Sequence, residues 1–490
     1  MAINFTYYDT NNRVPGVYVE MDPSQANSAT ELQNSLMLGQ MLATGNATPN
    51  VPVIVESVAQ VLTLCGQGSM LANMAQRYLK DDPFGPLYIV PLVDNPAGVV
   101  ATGEIVVSGP ATAPGTINCY VGGIRTQVAV NQGDTANAIA TALAAALTAN
   151  LDLGITAVAT TGTIAVTSKH KGQAMNALDI QFNYYGTAGG EYGVAGVGFV
   201  VTAMSGGTTN PDITAALANL ADQSFDFICM PYTDTTSLNA LQQFLNDATG
   251  RWSWEQMIYG GGFSAFTGTL GECTTFGTSR NDQHMSIMAY QDSPDPPWIW
   301  SAVMMAFSAA SIRVDPGLPL QYIATELKPP PIPARWTLGE RNTLLYDGMS
   351  TFRVNDAGQV IMERMCTTYQ KNAAGAADNS YLDVETMYGL MFVARDLTNF
   401  LLTRYARKKL VSDTTQITAG SNCVNALMIK ASTINEYRVL EAGGYVQNSD
   451  AFAAGIVVEN AGNGLVKILA PVDLVNQLRQ IAILLQFRKS

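Results

Sequence analysis

Only two histidines, His170 and His284, occur in the 490 residues, and they limit what acid–base, nucleophilic or metal chemistry the chain can perform. Zinc sites and serine-type triads both lean on histidine. His170 stands in Lys169-His-Lys171 and reads as a solvated turn residue; His284 opens an apolar run near Asp282 and Asp292, with no second soft ligand close in sequence. Cys65, Cys119, Cys229, Cys273, Cys366 and Cys423 are scattered, without a C-x-x-C pair. They read as reduced, mostly buried thiols of a cytosolic product rather than a metal cage or disulfide framework. Tyr259-Gly-Gly-Gly-Phe263 lacks the Gly-Lys-Ser/Thr ending of a phosphate loop, and Gly193-Val-Ala-Gly-Val-Gly198 has the wrong spacing for a dinucleotide site. Asp81-Asp82 and the Asp292/Asp295 pair lie beside prolines and read as solvated loop carboxylates. The expectation is a protein with no catalytic residues, no metal site and no cofactor.

The elements around these residues suggest several domains, as the length does. Hydrophobic residues make up 47% and charged residues 13%, well under the roughly 25% of ordinary globular chains. Disordered chains show the reverse pattern. The longest apolar run, Trp298 to Ala310, is too short for a membrane span of about 18 residues or more and reads as a buried helix. Neutral surface of this kind suits a subunit that packs against many copies of itself. The opening MAINFTYYDT has neither a basic nor an apolar leader region, so no secretory signal is expected.

Along the chain, Val53–Val55, Ser69–Leu79 and Leu87–Val93 read as a β-α-β unit of an open α/β sheet. From Gly98 to Gly207 the texture changes: 18 of the 43 glycines and only eight charged residues fall there. Seven short alternating runs near 105–107, 117–121, 126–130, 155–159, 163–167, 178–182 and 198–203 predict strands, and Ile139, Leu143 and Leu147 predict one helix capped by Asp134 or Thr135. The α/β texture then resumes with a helix at 212–221, strands at 225–230, 256–259 and 284–290, and a helix at 236–250. The predicted organisation is an N-terminal arm (1–22), a discontinuous α/β body (23–97 and 208–327), a β-rich inserted outer domain (98–207), a Pro-rich linker (328–334), a C-terminal α+β core domain (335–478) and a C-terminal arm (479–490).

Within the C-terminal portion, a long helix is expected from Asp383 to Leu410, with Arg404, Arg407, Lys408 and Lys409 crowding its last turns. Residues 391–490 carry 11 Lys or Arg against seven Asp or Glu, whereas the preceding 390 carry 15 against 32. That asymmetry argues against a nucleic-acid binder and permits a basic face meeting an acidic partner. Gly455–Glu459, the turn Asn460–Gly464 and Leu465–Leu469 predict a hairpin. The run Gln480-Ile-Ala-Ile-Leu-Leu-Gln-Phe487 predicts a terminal apolar strand, a hazard unless it pairs.

The ordered set of Val14-Pro-Gly-Val-Tyr-Val-Glu20, the interrupted α/β body, the segment from Gly260-Gly-Gly-Phe-Ser-Ala-Phe266 through Thr278-Ser-Arg-Asn-Asp282 to the Pro-rich linker, and the hairpin followed by Arg479–Phe487 resembles the tail sheath proteins of contractile bacteriophages, particularly the Mu-like group. The resemblance implies a virion tail subunit, made in the host bacterial cytoplasm, that polymerises helically around a tail tube and contracts to drive the tube through the host envelope. It implies strands donated between subunits, carrying Val14, Val17, Tyr18 and Val19 in the N-terminal arm and Ile481, Ile483, Leu485 and Phe487 in the C-terminal arm. Ile456, Val458, Val466 and Ile468 would form the receiving hairpin, and Arg404, Arg407, Lys408 and Lys409 the tube contact. Its partners would be other copies of the chain, the tail tube protein, and baseplate and tail terminator proteins, without nucleic acid or membrane insertion. The alternative reading is another virion structural protein, a capsid or tail fibre subunit.

Overall fold

A computed structural model describes residues 33–418 and 420–489. The chain enters through β1 (Ser35–Gln40), every residue of which is buried. It continues through β2 (Val53–Val55), α1 (Val58–Cys65), α2 (Met70–Asp81) and β3 (Leu87–Leu92). The Ser57 and Ser69 side chains cap α1 and α2 by accepting from backbone N–H groups of the first turn. The parallel partner of β3 is β1; β2 pairs antiparallel with β3 at the sheet edge, so the predicted 53–55 crossover is corrected to one starting from β1.

Seven strands follow: β4 (Val100–Ser108), β5 (Gly115–Val121), β6 (Ile124–Val130), β7 (Ile155–Thr160), β8 (Thr163–Lys171), β9 (Ile180–Phe182) and β10 (Gly198–Ser205), with α3 (Ala136–Ala149) after β6. They fall at the seven expected runs, and Thr135 provides the cap of α3. They form a four-stranded sheet, β10-β4-β8-β7, and a three-stranded one, β6-β5-β9. The buried face of α3 (Ile139, Leu143, Leu147) packs on strands of both sheets.

The chain then returns to the first sheet. After α4 (Thr214–Asn219) come β11 (Phe227–Cys229), α5 (Thr235–Leu245), β12 (Gly261–Thr267), α6 (Leu270–Thr278), β13 (Met285–Tyr290) and α7 (Pro297–Val314). Among the described residues this sheet has six strands in the order β13-β12-β11-β1-β3-β2, parallel except for β2. Such a sheet is buried on both faces and reads as continuous apolar runs. The apolar helix α7 packs between β11–β13 and α2, burying Trp300, Met304 and Met305 among others.

Residues 256–259, expected as a strand, are not one: Met257 and Tyr259 adopt positive φ angles of 50° and 64°, which end an extended run. The strand is instead the glycine cluster itself. A Cβ at Gly261 would lie 2.4 Å from Met387 and 2.8 Å from Tyr388 Oη, so the glycines let a later helix press on the sheet.

Next come β14 (Ile323–Thr325), α8 (Leu338–Tyr346), β15 (Thr351–Val354) and β16 (Val360–Arg364), the three strands pairing as β14-β16-β15. The segment 328–334 is tied down: Ser293 Oγ donates to Lys328 O at 2.7 Å, Lys328 N to Asp295 Oδ2 at 2.6 Å, and Tyr184 Oη to Pro329 O at 2.5 Å. Buried side chains on both sides of it, through Met387, Tyr388 and Met391, belong to one continuous core.

A second, small core begins inside α9 (Val384–Tyr405). It joins Val393 to Tyr437, Leu440, Val446, Phe452 and Ile456 from α10 (Ala426–Ala442), α11 (Ser449–Gly455) and their flanks. Tyr437 and Phe452 stack at 3.7 Å. β17 (Lys409–Leu410) pairs with β18 (Cys423–Val424), and β19 (Val457–Gly462) with β20 (Leu465–Leu469). The helix expected to reach Leu410 ends at Tyr405, because Lys409 and Leu410 enter the β17–β18 ladder instead.

Candidate assembly surfaces

The residues with potential for chemistry are used internally. His170 is buried, not solvated: Nε2 accepts from Met70 N at 3.1 Å and Nδ1 lies 3.2 Å from Asp94 Oδ1. This corrects the reading of Lys169-His-Lys171 as a surface turn; the end of β8 is pinned between α2 and the loop after β3. His284 is also buried, with Nε2 2.9 Å from Asp247 Oδ1 and its ring stacked on Trp252 at 4.1 Å. Burial pushes the His284 pKa down, against the pull of Asp247. Asp82 and Asp295, expected in solvent, are buried: Asp82 meets Arg313 and Tyr78, and Asp295 meets Lys328. Proline-flanked carboxylates therefore serve here as internal ties. All six cysteines are free; five are buried, and burial raises the Cys65, Cys119, Cys273 and Cys366 thiols to about 12. Such thiols are poor nucleophiles at neutral pH. Among the described residues, no group of three or more His, Cys, Asp or Glu is placed to hold a metal ion, and no helix is long and apolar enough to cross a membrane.

The C-terminal portion is built differently. β19 and β20 form a two-stranded sheet with no third strand among the described residues. Val457, Leu465, Ile468 and Leu469 are exposed on it, while Val458 and Val466 are half-buried. Ile456 does not belong to this hairpin: it is fully buried in the second core, just before β19, which corrects its assignment to the receiving edge. Beyond Arg479 the chain forms no strand, and its apolar side chains face water: Ile481 is 74%, Ile483 75%, Leu485 84% and Phe487 89% exposed. The strand expected there has no ladder partner among the described residues. Val14, Val17, Tyr18 and Val19 lie outside the described residues.

The basic cluster is exposed throughout. Arg404 sits in the last turn of α9, above Phe400 at 5.7 Å, and Arg407, Lys408 and Lys409 follow in the turn and in β17. Lys408 Nζ donates to Asn422 Oδ1 at 3.2 Å; no carboxylate partner of the four appears among the described ion pairs.

Two ties were not legible in the sequence. Arg395 of α9 forks onto Asp226 at 2.8 and 2.7 Å, joining the small unit to the start of β11. Arg479 reaches back to Glu385 at 2.8 Å and Asp383 at 3.1 Å. Both partners lie far away in sequence, and only the fold brings them together.

The architecture is a mixed α/β multidomain one: an α/β body with a β-rich excursion and a small C-terminal unit whose hairpin has no third strand among the described residues. Residues 206–368 match the phage tail sheath protein central domain. Over 491 residues the chain is 36% identical to the Mu-like prophage FluMu tail sheath protein of Haemophilus influenzae, covering 99% of this chain and all of that one. Its fold is similar to the anti-feeding prophage helical sheath in the contracted state, with TM-score 0.50, 12% identity and coverage of 98% and 100%. A sheath tail protein of Desulfitobacterium hafniense aligns with TM-score 0.48 and 13% identity, over 94% of this chain and 97% of that one. The chain belongs to the tail sheath proteins of contractile phages, on the strength of the full-length Mu-like relative. It is a structural subunit of a contractile tail sheath and a component of the virion tail.

Proposed function

We propose that subunits polymerise by strand donation, the tail of one copy and the N-terminal arm of another adding to β19–β20 of a neighbour. The tail would insert Ile481, Ile483, Leu485 and Phe487, and the arm Val14, Val17, Tyr18 and Val19. The observation that carries this reading is the coexistence, in one chain, of an exposed apolar tail and a hairpin whose outer edges have no partner among the described residues. A lone two-stranded hairpin is marginal in water, and an exposed apolar segment aggregates unless covered; β-augmentation cures both. Main-chain hydrogen bonds would keep copies linked while their bodies rotate. The sheath then assembles extended around the tail tube and contracts to a wider, shorter form that drives the tube through the host envelope, the energy lying in the difference between subunit contacts.

In this reading residues 23–97 with 208–327 form the sliding body, 98–207 face outward, and 335–478 carry the polymer contacts. Arg404, Arg407, Lys408 and Lys409 meet the tube, since an exposed cationic group with no ion-pair partner among the described residues suits an acidic surface. Baseplate and terminator proteins close the ends, and assembly takes place in the host bacterial cytoplasm. Electron microscopy of the full-length chain beside one lacking Gln480–Ser490 tests donation: hollow striated tubes are expected only from the former. Tubes from both would overturn it. Charge reversal at Arg407 and Lys408 should abolish co-assembly with tube and leave the fold intact; normal tails from that variant would remove the tube assignment.

A further inference from the structure

The tail does not simply begin where pairing with the hairpin ends. From Pro471 onward the chain retraces its own subunit: Asp473 N donates to Tyr437 Oη at 3.0 Å, Leu474 bridges to Val446, and Gln447 Nε2 donates to Leu474 O at 3.1 Å. It then crosses to the segment after α7. Gln321 Nε2 donates to Leu478 O at 2.9 Å, and Gln477 Nε2 to Gly317 O at 3.5 Å.

Arg479 closes this run. Its Nη2 lies 2.8 Å from Glu385 Oε2 and 3.1 Å from Asp383 Oδ1, and Asp383 is itself held by the Arg364 fork at 2.8 and 3.0 Å. Glu385, in the first turn of α9, is almost wholly buried, and its other oxygen accepts from Leu320 N. One guanidinium thus ties together the tail root, the start of α9 and, through Leu320 and Gln321, the exit of α7. Before this point half-buried and exposed residues are mixed, whereas from Gln480 onward every described residue is exposed, and no hydrogen bond of Gln480–Lys489 appears among those described.

The first described residue is held from nearby in sequence terms. Arg313, at the C-terminal end of α7, donates from Nε to Gln33 O at 3.0 Å, Gln33 being the first described residue. Residues 313–321 therefore hold the roots of both terminal segments.

We propose that Arg479 is a positioning residue for strand donation: clamped by Glu385 and Asp383, it fixes the point where the tail leaves the subunit, so that a pull on the tail reaches α9 and α7. The tail accordingly begins at Gln480 rather than Arg479. This deepens the strand-donation reading and rests on it for its role in assembly, but the clamp is measurable without any polymer. A buried carboxylate that loses its cation is strongly disfavoured, so Arg479→Gln alone confounds anchoring with stability. The double variant Glu385→Gln with Arg479→Gln removes both charges and separates the two.

Native-state thermolysin digestion of the dilute full-length protein, read by mass spectrometry, gives the boundary of the protected chain. Within residues 470–490 the wild type should be cut only between Gln480 and Phe487. In both variants the first cuts should move upstream into Val472–Leu478, while urea unfolding shows stability lost in the single variant and largely regained in the double. Arg479→Lys, which keeps a cation, should retain the wild-type boundary. If the double variant recovers its boundary together with its stability, Arg479 merely neutralises Glu385 and the proposal falls. Tube yield in the double variant should drop at least tenfold. Should the chain lacking Gln480–Ser490 still form tubes, donation fails, yet the cleavage boundary still decides the anchor.

Discussion

The sheet packed around α7 and the small unit built on α10 use the same kinds of side chain to opposite ends. In the first, β1 and β13 have every residue buried, and polar groups that enter the interior, such as Asp82 and Asp295, meet partners from distant segments. In the second, six residues make the core, while a hairpin and a tail leave large apolar groups in water. One region satisfies itself, while the other, among the described residues, leaves apolar edges uncovered. On the strand-donation proposal a contracting sheath uses both: a body that keeps its shape while it moves, and joints whose contacts neighbours would complete.

The comparison is tested most severely by matched truncations in the two cores. Trp300 is fully buried, stacked on Tyr290 at 4.5 Å, with Nε1 donating to Ser293 Oγ at 3.1 Å. Trp300→Ala should cost about 4 kcal/mol in urea unfolding of the body, from lost transfer energy and the cavity left behind. Phe452→Ala should cost about 3 kcal/mol, but only in the small unit. Hydrogen exchange should show α10 opening while β1 and β13 stay protected. Equal loss of protection in both regions would mean that the Arg395–Asp226 tie welds them into one cooperative unit.

A smaller effect on the subunit but a larger one on the polymer is expected at the tail. Leu485→Ser changes a side chain that touches little within the subunit, so stability should stay within about 0.5 kcal/mol, as for exposed sites generally. Sedimentation should nevertheless show tube formation suppressed. A destabilised monomer with normal tubes would invert the contrast.

What the sequence disclosed follows the same division. The insert strands were legible because alternation with a period of two and glycine-rich turns are local signals, and its helix because Thr135 and the Ile139–Leu147 stripe are local too. The parallel core was read less well. β1, Ser-Leu-Met-Leu-Gly-Gln, has no alternation and no β-branched residue, and strands buried on both faces give no period to detect. The glycine cluster 260–262 carried no strand signal because its reason, the approach of Met387 and Tyr388, lies over 120 residues away. For the assembly surfaces, the exposed tail and hairpin were visible as composition, whereas the fate of Ile456 and the hold on Arg479 depended on tertiary packing. Charged side chains were the hardest to place, because Asp82, Asp295 and His170 are buried only by virtue of partners elsewhere.

The packed region should also show the cost of its own burial. Asp179, before β9, has its carboxyl pushed up to about 6 by burial, with the Asp292 charge adding to the push while hydrogen bonds from Gln181 and Ile180 oppose it. In the unfolded chain an aspartate titrates at about 3.9. The folded state therefore holds this proton more tightly: its contribution to stability is fully present below about pH 4, falls as pH rises towards 6, and levels off above that. Asp179→Asn removes the ionisation, so the variant should gain about 1–2 kcal/mol over the wild type at pH 8, and the gain should vanish near pH 4. Urea midpoints at the two pH values measure it. A matching gain at pH 4 would place the effect of the Asp179→Asn substitution in packing rather than in charge, and the large core would then be less strained electrostatically at this carboxylate than its burial implies.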